Sequence, residues 1–271
     1  MKKIVIQGLI LMVLFFSTLF VLNMVDWMTV FKVEKITNNT EKKLGELFWE
    51  IFQKTESENK NQLVIHSIDS IVTKICNENN IDRKLIKAHV LNKNEINAFA
   101  LPNGHLIIYS DLILASENQE ELIGVICHEI AHIELNHVMK KLIKEVGLSV
   151  LISMTTTNNG PQIIKETAKM LSSTAFDRNL EKEADIKAVE YLIAAKINPE
   201  PFADFLSKLS DEENETLSSF SWISTHPDSK ARATYIKAYS QDKNVENKLI
   251  LTQKTWGNLT GQTHTFFRKK T

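Results

Sequence analysis

From Glu120 to His137 the chain reads EELIGVICHEIAHIELNH. Leu122, Ile126, Ile130 and Ile133 recur at a spacing that lines one face of a helix, and His128 and His132, four apart, stand one turn above the other. Two imidazoles stacked in this way aim at one point. That is what a tetrahedral zinc asks of the first two of its three protein ligands, and Glu129 beside them is placed to take a proton from a water at the metal. With 8 histidines in 271 residues, about 0.02 chance matches to His-Glu-x-x-His are expected per chain, so the pattern already outweighs two surface histidines on a core helix.

A third protein ligand must lie elsewhere. His137 comes nine residues after His128, about 180° round a continued helix, and is set aside on that ground. The next carboxylates fall in Arg178-Asn179-Leu180-Glu181-Lys182-Glu183-Ala184-Asp185, on a helix whose apolar positions continue through Ala188, Val189, Leu192 and Ile193. Glu181 and Asp185 share a face and Glu183 points elsewhere. Glu181 as ligand, with Asp185 orienting a histidine from behind, gives the pair a purpose; a solvated acidic face is the competing reading. Cys127 points off the ligand face and reads as core packing.

Outward from this helix the pattern divides in two. Leu63, Ile65, Ile68, Ile71, Val72 and Ile75 recur at helical spacing between Gln62 and Asn79. Then Leu85 to Leu91, Ile96 to Leu101 and Leu106 to Tyr109 read as short strands separated by Asn92, Asn94 and Pro102-Asn103-Gly104, as in a small antiparallel sheet. After Ser110 the helical pattern holds to about residue 240. Within it Val146 to Met154 is apolar, too short to span a bilayer, and reads as a buried helix running into a loop. The expected fold class is therefore mainly α with a small antiparallel β-sheet, α+β.

The ends differ. After Lys2 and Lys3, Ile4 to Val25 carries no charge over 22 residues. At 1.5 Å per residue that run reaches about 33 Å, the length of a spanning helix. A cleaved signal peptide is the alternative, with a longer apolar core than usual and no A-x-A-like site. The two lysines should stay cytoplasmic and send the rest to the opposite face. Residues 26–60 read as an amphipathic stalk or outer helix, residues 61–240 as the main domain, and 241–271 as a C-terminal tail with strand-like residues and a solvated basic end. With 32 Lys+Arg against 33 Asp+Glu there is no basic field for nucleic acid, and two cysteines, Cys76 and Cys127, are too few for a disulfide scaffold.

Four segments in order, Asn97-Ala98-Phe99-Ala100-Leu101-Pro102-Asn103-Gly104-His105, His128-Glu129-Ile130-Ala131-His132, Glu181-x-x-Ala184-Asp185 and Thr225-His226-Pro227, resemble the membrane-associated zinc metallopeptidases of the CAAX-prenyl-endopeptidase and HtpX type. The likeness runs over about residues 60–240. It implies a zincin-like domain of gluzincin type, one zinc per chain held by His128, His132 and Glu181, Asp185 behind them, and Glu129 as catalytic base of an endopeptidase. A single N-terminal anchor resembles the family's bacterial quality-control branch. That implies unfolded or misassembled envelope proteins as substrates, membrane contact through the N-terminal helix, and a catalytic domain on the extracytoplasmic face. A catalytically silent, tethered chaperone on the same scaffold is the competing class.

Two further sites follow from the resemblance. Asn97, Ala98, Phe99 and Ala100 would offer a strand edge to an extended peptide, which would bind through its backbone; an ordinary hairpin strand is the alternative. His226 sits before Pro227 and a helix at Ser229 to Tyr239, where it could simply precede a helix start. The resemblance instead brings it to the zinc as a catalytic residue, either donating to the oxyanion or occupying the water's position in a closed state.

Overall fold

The computed structural model describes residues 12–15, 17, 33–156, 161–212, 221–241, 243 and 245–267. The chain divides after Glu41. In the first unit residues 12–15 are helical and Met12, Val13, Leu14 and Phe15 are exposed. The span expected over Ile4–Val25 lies mostly outside the described residues. Among the described residues no helix is long and apolar enough to cross a membrane.

In chain order the elements are α1 (Val33–Thr55), β1 (Ser57–Glu58), α2 (Gln62–Glu78), β2 (Lys87–Asn92), β3 (Ala98–Leu101), β4 (His105–Tyr109), α3 (Ser110–Ala115), α4 (Gln119–Glu134) and α5 (His137–Glu145). There follow α6 (Leu148–Thr156), α7 (Pro161–Leu171), α8 (Arg178–Ala194), α9 (Glu200–Glu212), α10 (Ser221–Thr225), α11 (Ser229–Ser240) and α12 (Gln253–Phe267). The mainly helical reading with one small sheet is borne out.

The sheet is mixed rather than antiparallel. Its order is β1-β2-β4-β3, with β2 and β4 parallel and β3 antiparallel to β4. The reason lies in the connections. Asn103 (φ 61°) and Gly104 (φ 72°) take the left-handed conformations a tight hairpin needs, so β3 folds straight back onto β4. A Cβ at Gly104 would stand 1.7 Å from the Leu85 carbonyl oxygen. The link from Asn92 to Asn97 contains no glycine. It passes the end of β4, where Tyr109 N–H donates to the Asn97 carbonyl at 2.9 Å.

Both faces of the sheet are covered. Leu106 and Ile108 of β4 face a core formed with α2, α4, α8 and α9, whereas Ile107 and Tyr109 face a second cluster holding Leu44, Phe48, Trp49 and Phe52 of α1 with Val138, Leu142, Leu151 and Met154. From Lys42 onward α1 is thus packed onto the sheet. The basic end of the tail, expected to be solvated, lies outside the described residues. The strand-like residues expected in the tail form a helix instead over Gln253–Phe267, and α12 buries Trp256 and Leu259 in the first core. Its apolar residues sit three apart, a period that two polar neighbours per turn obscured.

Helix α4 runs through the middle, buried from Gln119 to His132 rather than along one stripe only. Asn118 caps it, its side chain accepting from Glu121 N–H at 3.0 Å, while the Glu121 carboxylate accepts from Glu117 N–H at 2.8 Å. Gly124 lets α9 approach; a Cβ there would stand 2.4 Å from Phe202 Cβ. At the far end Asn136 takes the left-handed conformation (φ 58°, ψ 29°), which stops α4 and turns the chain into α5.

Between α1 and the sheet lies a polar cluster around the buried His105. His89 Nε2 is 3.0 Å from His105 Nδ1, Trp49 stacks on His89 at 3.7 Å, and Lys87, Glu46 and Glu58 surround the pair. Burial, then His105 and Lys87, lower the His89 pKa from 6.5 to about 3. The unfolded chain therefore takes up this proton first, so the stability is present above pH 6.5 and is lost as pH falls toward 3. Between pH 6.5 and 5 the loss is expected to be at most about 2 kcal/mol. Urea unfolding of His89→Gln should show a shallower decline over that range; an identical decline would remove His89 from the effect.

Candidate metal centre

Four side chains from three places in the sequence meet behind α4. His128 and His132 descend from α4, Glu181 comes from the first turn of α8, and His226 follows α10; their ligand atoms lie within 4.8 Å of one another. His128 Nε2 and His132 Nε2 are 3.0 Å apart. Glu181 Oε1 is 3.4 Å from His132 Nε2 and 2.9 Å from His226 Nδ1, which stands 3.2 Å from His128 Nε2. All four residues are buried.

These spacings fit a metal ion. Donors bonded to a tetrahedral zinc at about 2.0–2.1 Å are roughly 3.3 Å from one another, which is the range observed. Burial holds His128 far below its usual value, at about 3, so the ring is neutral and has a lone pair to give. Burial opposes charge on Glu181 too, but His226 and Arg232 outweigh it and hold the carboxyl well below its ordinary range. Neutral imidazoles and an ionised carboxylate are the donor forms a metal binds.

The surroundings orient the donors. Asp185 Oδ1 lies 2.9 Å from His128 Nδ1, one helical turn along α8 from Glu181. Arg232 from α11 fixes both carboxylates: its Nη1 is 2.8 Å from Glu181 Oε2, its Nη2 and Nε donate to Asp185 at 2.7 and 2.8 Å, and Nη1 also donates to the His226 carbonyl at 3.0 Å. Tyr235, one turn on, donates to Asp185 Oδ2. Arg232 and Tyr235 are not among the residues expected at the site. The available signal was a charged residue on the buried face of α11, beside Ser229, Ala233 and Ile236.

Glu129 is wholly buried. Its Oε1 accepts from Trp222 Nε1 at 3.3 Å, its Oε2 has no hydrogen-bond partner among the described residues, and burial pushes its carboxyl up to about 7. His137 is not at the metal cluster, but neither is it on the far side of α4. The turn at Asn136 swings it back, so that His137 Nδ1 is 3.1 Å from His132 Nδ1 and its Nε2 is 3.3 Å from Glu183 Oε2.

Asn97, Ala98, Phe99 and Ala100 lie at the edge of the sheet beside α4, and all four are buried. Asn97 Nδ2 donates to the Ser172 carbonyl at 3.5 Å and Trp222 N–H to the Ile96 carbonyl at 3.1 Å. The cover continues over the histidines: Phe176 packs on His132 with ring centroids 4.1 Å apart, and Trp222 stacks on His226 at 4.6 Å. Phe176 N–H donates to the Thr225 carbonyl at 3.3 Å, which joins the two covering segments.

Comparisons with known proteins bear on the same residues. The chain is similar to the beta-barrel assembly-enhancing protease of Yersinia pestis, 27% identical over 191 residues that cover 62% of this chain and 39% of that protein. The mitochondrial metalloendopeptidase OMA1 of Arabidopsis thaliana is 26% identical over 172 residues, 64% of this chain and 34% of that protein. For metalloprotease LoiP of Escherichia coli K12 the figures are 29% over 166 residues, 59% and 64%. The chain therefore spans less than two fifths of the length of the first two. The model of peptidase family M48 matches residues 63–240, which carry every member of the cluster and the strand beside it, and the chain belongs to that family of metallopeptidases.

Proposed function

We propose that the protein is a zinc-dependent endopeptidase that cuts extended polypeptides, with His128, His132 and Glu181 as the protein ligands. The carrying observation is the convergence of two imidazole nitrogens and one ionised carboxylate at tetrahedral spacing, with Glu129 buried beside them and one carboxylate oxygen unpartnered. A bound zinc supplies Lewis acidity, which acidifies water and polarises a carbonyl. Glu129 takes a proton from water at Oε2 and passes it to the leaving amine. Asp185 keeps His128 turned so that Nε2 faces the cluster.

Asn97 and the β3 residues Ala98, Phe99 and Ala100 pair with the substrate backbone once the segments at Ser172 and Trp222 that cover them move aside. Affinity then comes from main-chain hydrogen bonds with little demand on side-chain identity, as suits unfolded chains. Envelope protein quality control fits the likeness to a beta-barrel assembly-enhancing protease. The apolar run Ile4–Val25, preceded by Lys2 and Lys3, serves as a membrane anchor with the domain on the extracytoplasmic side.

His226 acts as a latch. Its Nδ1 occupies the fourth corner of the donor set, 2.9 Å from Glu181 Oε1 and 3.2 Å from His128 Nε2. This supports the closing role over oxyanion donation in the arrangement seen. His226→Ala should raise basal cleavage of unfolded casein by the detergent-solubilised full chain several-fold. A fall of about 10²-fold with zinc retained would instead assign His226 to the oxyanion, and unchanged kinetics would remove it from both roles.

A further inference from the structure

His132 has two ring nitrogens, and only Nε2 faces the cluster. Its Nδ1 lies 3.1 Å from Nδ1 of His137, which is itself fully buried. Between two neutral imidazoles one nitrogen must donate and the other accept. The assignment follows from the metal reading proposed above, on which it rests. If His132 gives its Nε2 lone pair to zinc, its proton sits on Nδ1 and His137 Nδ1 accepts it. The His137 proton then sits on Nε2, 3.3 Å from Glu183 Oε2, and that carboxylate accepts.

We infer that His137 and Glu183 are positioning residues, a two-step relay that locks His132 in the tautomer whose Nε2 can bind the metal. His128 reaches the same state in one step, through Asp185 Oδ1 at 2.9 Å. Helix α8 thus supplies all three carboxylates: Glu181 to the metal, Asp185 to one histidine, and Glu183 to the other. The relay is needed because Glu183, two residues from Glu181, projects about 200° away round α8 and cannot reach His132 itself. The left-handed turn at Asn136 brings His137 into the gap.

Histidine tautomers are read directly by two-bond nitrogen–proton correlations on the ¹⁵N-histidine-labelled full chain, with and without zinc. In the metal-free parent His132 should hold its proton on Nδ1. His137→Leu should leave a tautomer mixture and weaken zinc about 10- to 100-fold in competition with a chromophoric chelator. His137→Asn, whose side-chain oxygen can accept where Nδ1 did, should stay within about threefold of the parent. Glu183 is 57% exposed, so Glu183→Leu spares the fold; it should cost a few-fold in zinc affinity and loosen the His132 tautomer. An unchanged tautomer in both leucine variants, or an Asn variant as weak as the Leu variant, would overturn the relay. A parent that takes up no zinc would overturn the metal reading instead, and the metal-free tautomer would still decide the relay.

Discussion

Glu129→Gln should reduce peptide hydrolysis by about 10²- to 10⁴-fold, the range that a general base supplies, while leaving one zinc per chain in place. Glutamine matches the shape of the buried side chain and retains an oxygen to accept from Trp222 Nε1, so neither packing nor the donor set should change. What is lost is the ability to take a proton at the oxygen that has no partner. In the metal-free chain burial pushes the carboxyl up to about 7, which raises that oxygen's affinity for a proton. Turnover of an unfolded casein, with metal analysis on the same preparation, checks both halves. Undiminished cleavage by the variant would remove Glu129 from the mechanism.

Glu181→Ala should lose zinc outright and destabilise the fold, whereas Glu183→Ala should retain a bound metal. Removing the Glu181 carboxylate takes away one donor and also unbalances Arg232, which is buried between Glu181 and Asp185. Breaking a buried ion pair from one side costs about 3–5 kcal/mol, and the surviving contact with Asp185 places this case near the lower end. Inductively coupled plasma analysis and urea unfolding report the two effects separately. Zinc kept by Glu181→Ala and lost by Glu183→Ala would reverse the ligand assignment.

The centre of the molecule was legible because its chemistry is periodic. His128, Glu129 and His132 obey a helical spacing that no tertiary contact could alter, and Glu181 with Asp185 obeys the same rule one helix later. Residues whose roles depend on a turn were not legible. Continuing the helix puts His137 on the far side of α4, but a single left-handed residue, Asn136, ends it. Asparagine tolerates that conformation without requiring it, so the residue type alone does not announce the stop. Arg232 was invisible for another reason: a lone arginine reads as solvated until its two carboxylate partners, 47 and 51 positions upstream, are brought to it. Sheet order failed similarly. Alternation identifies strands, while the parallel pairing of β2 with β4 is set by which connections can turn tightly.

Restoration of cleavage by metal tests the proposed chemistry most directly. The full chain, stripped by a chelator and freed of it, should no longer cut unfolded casein. One equivalent of zinc per chain should restore cleavage in the parent but not in Glu181→Ala. Cleavage by the stripped chain at the parent's rate would contradict a zinc peptidase centred on His128, His132 and Glu181.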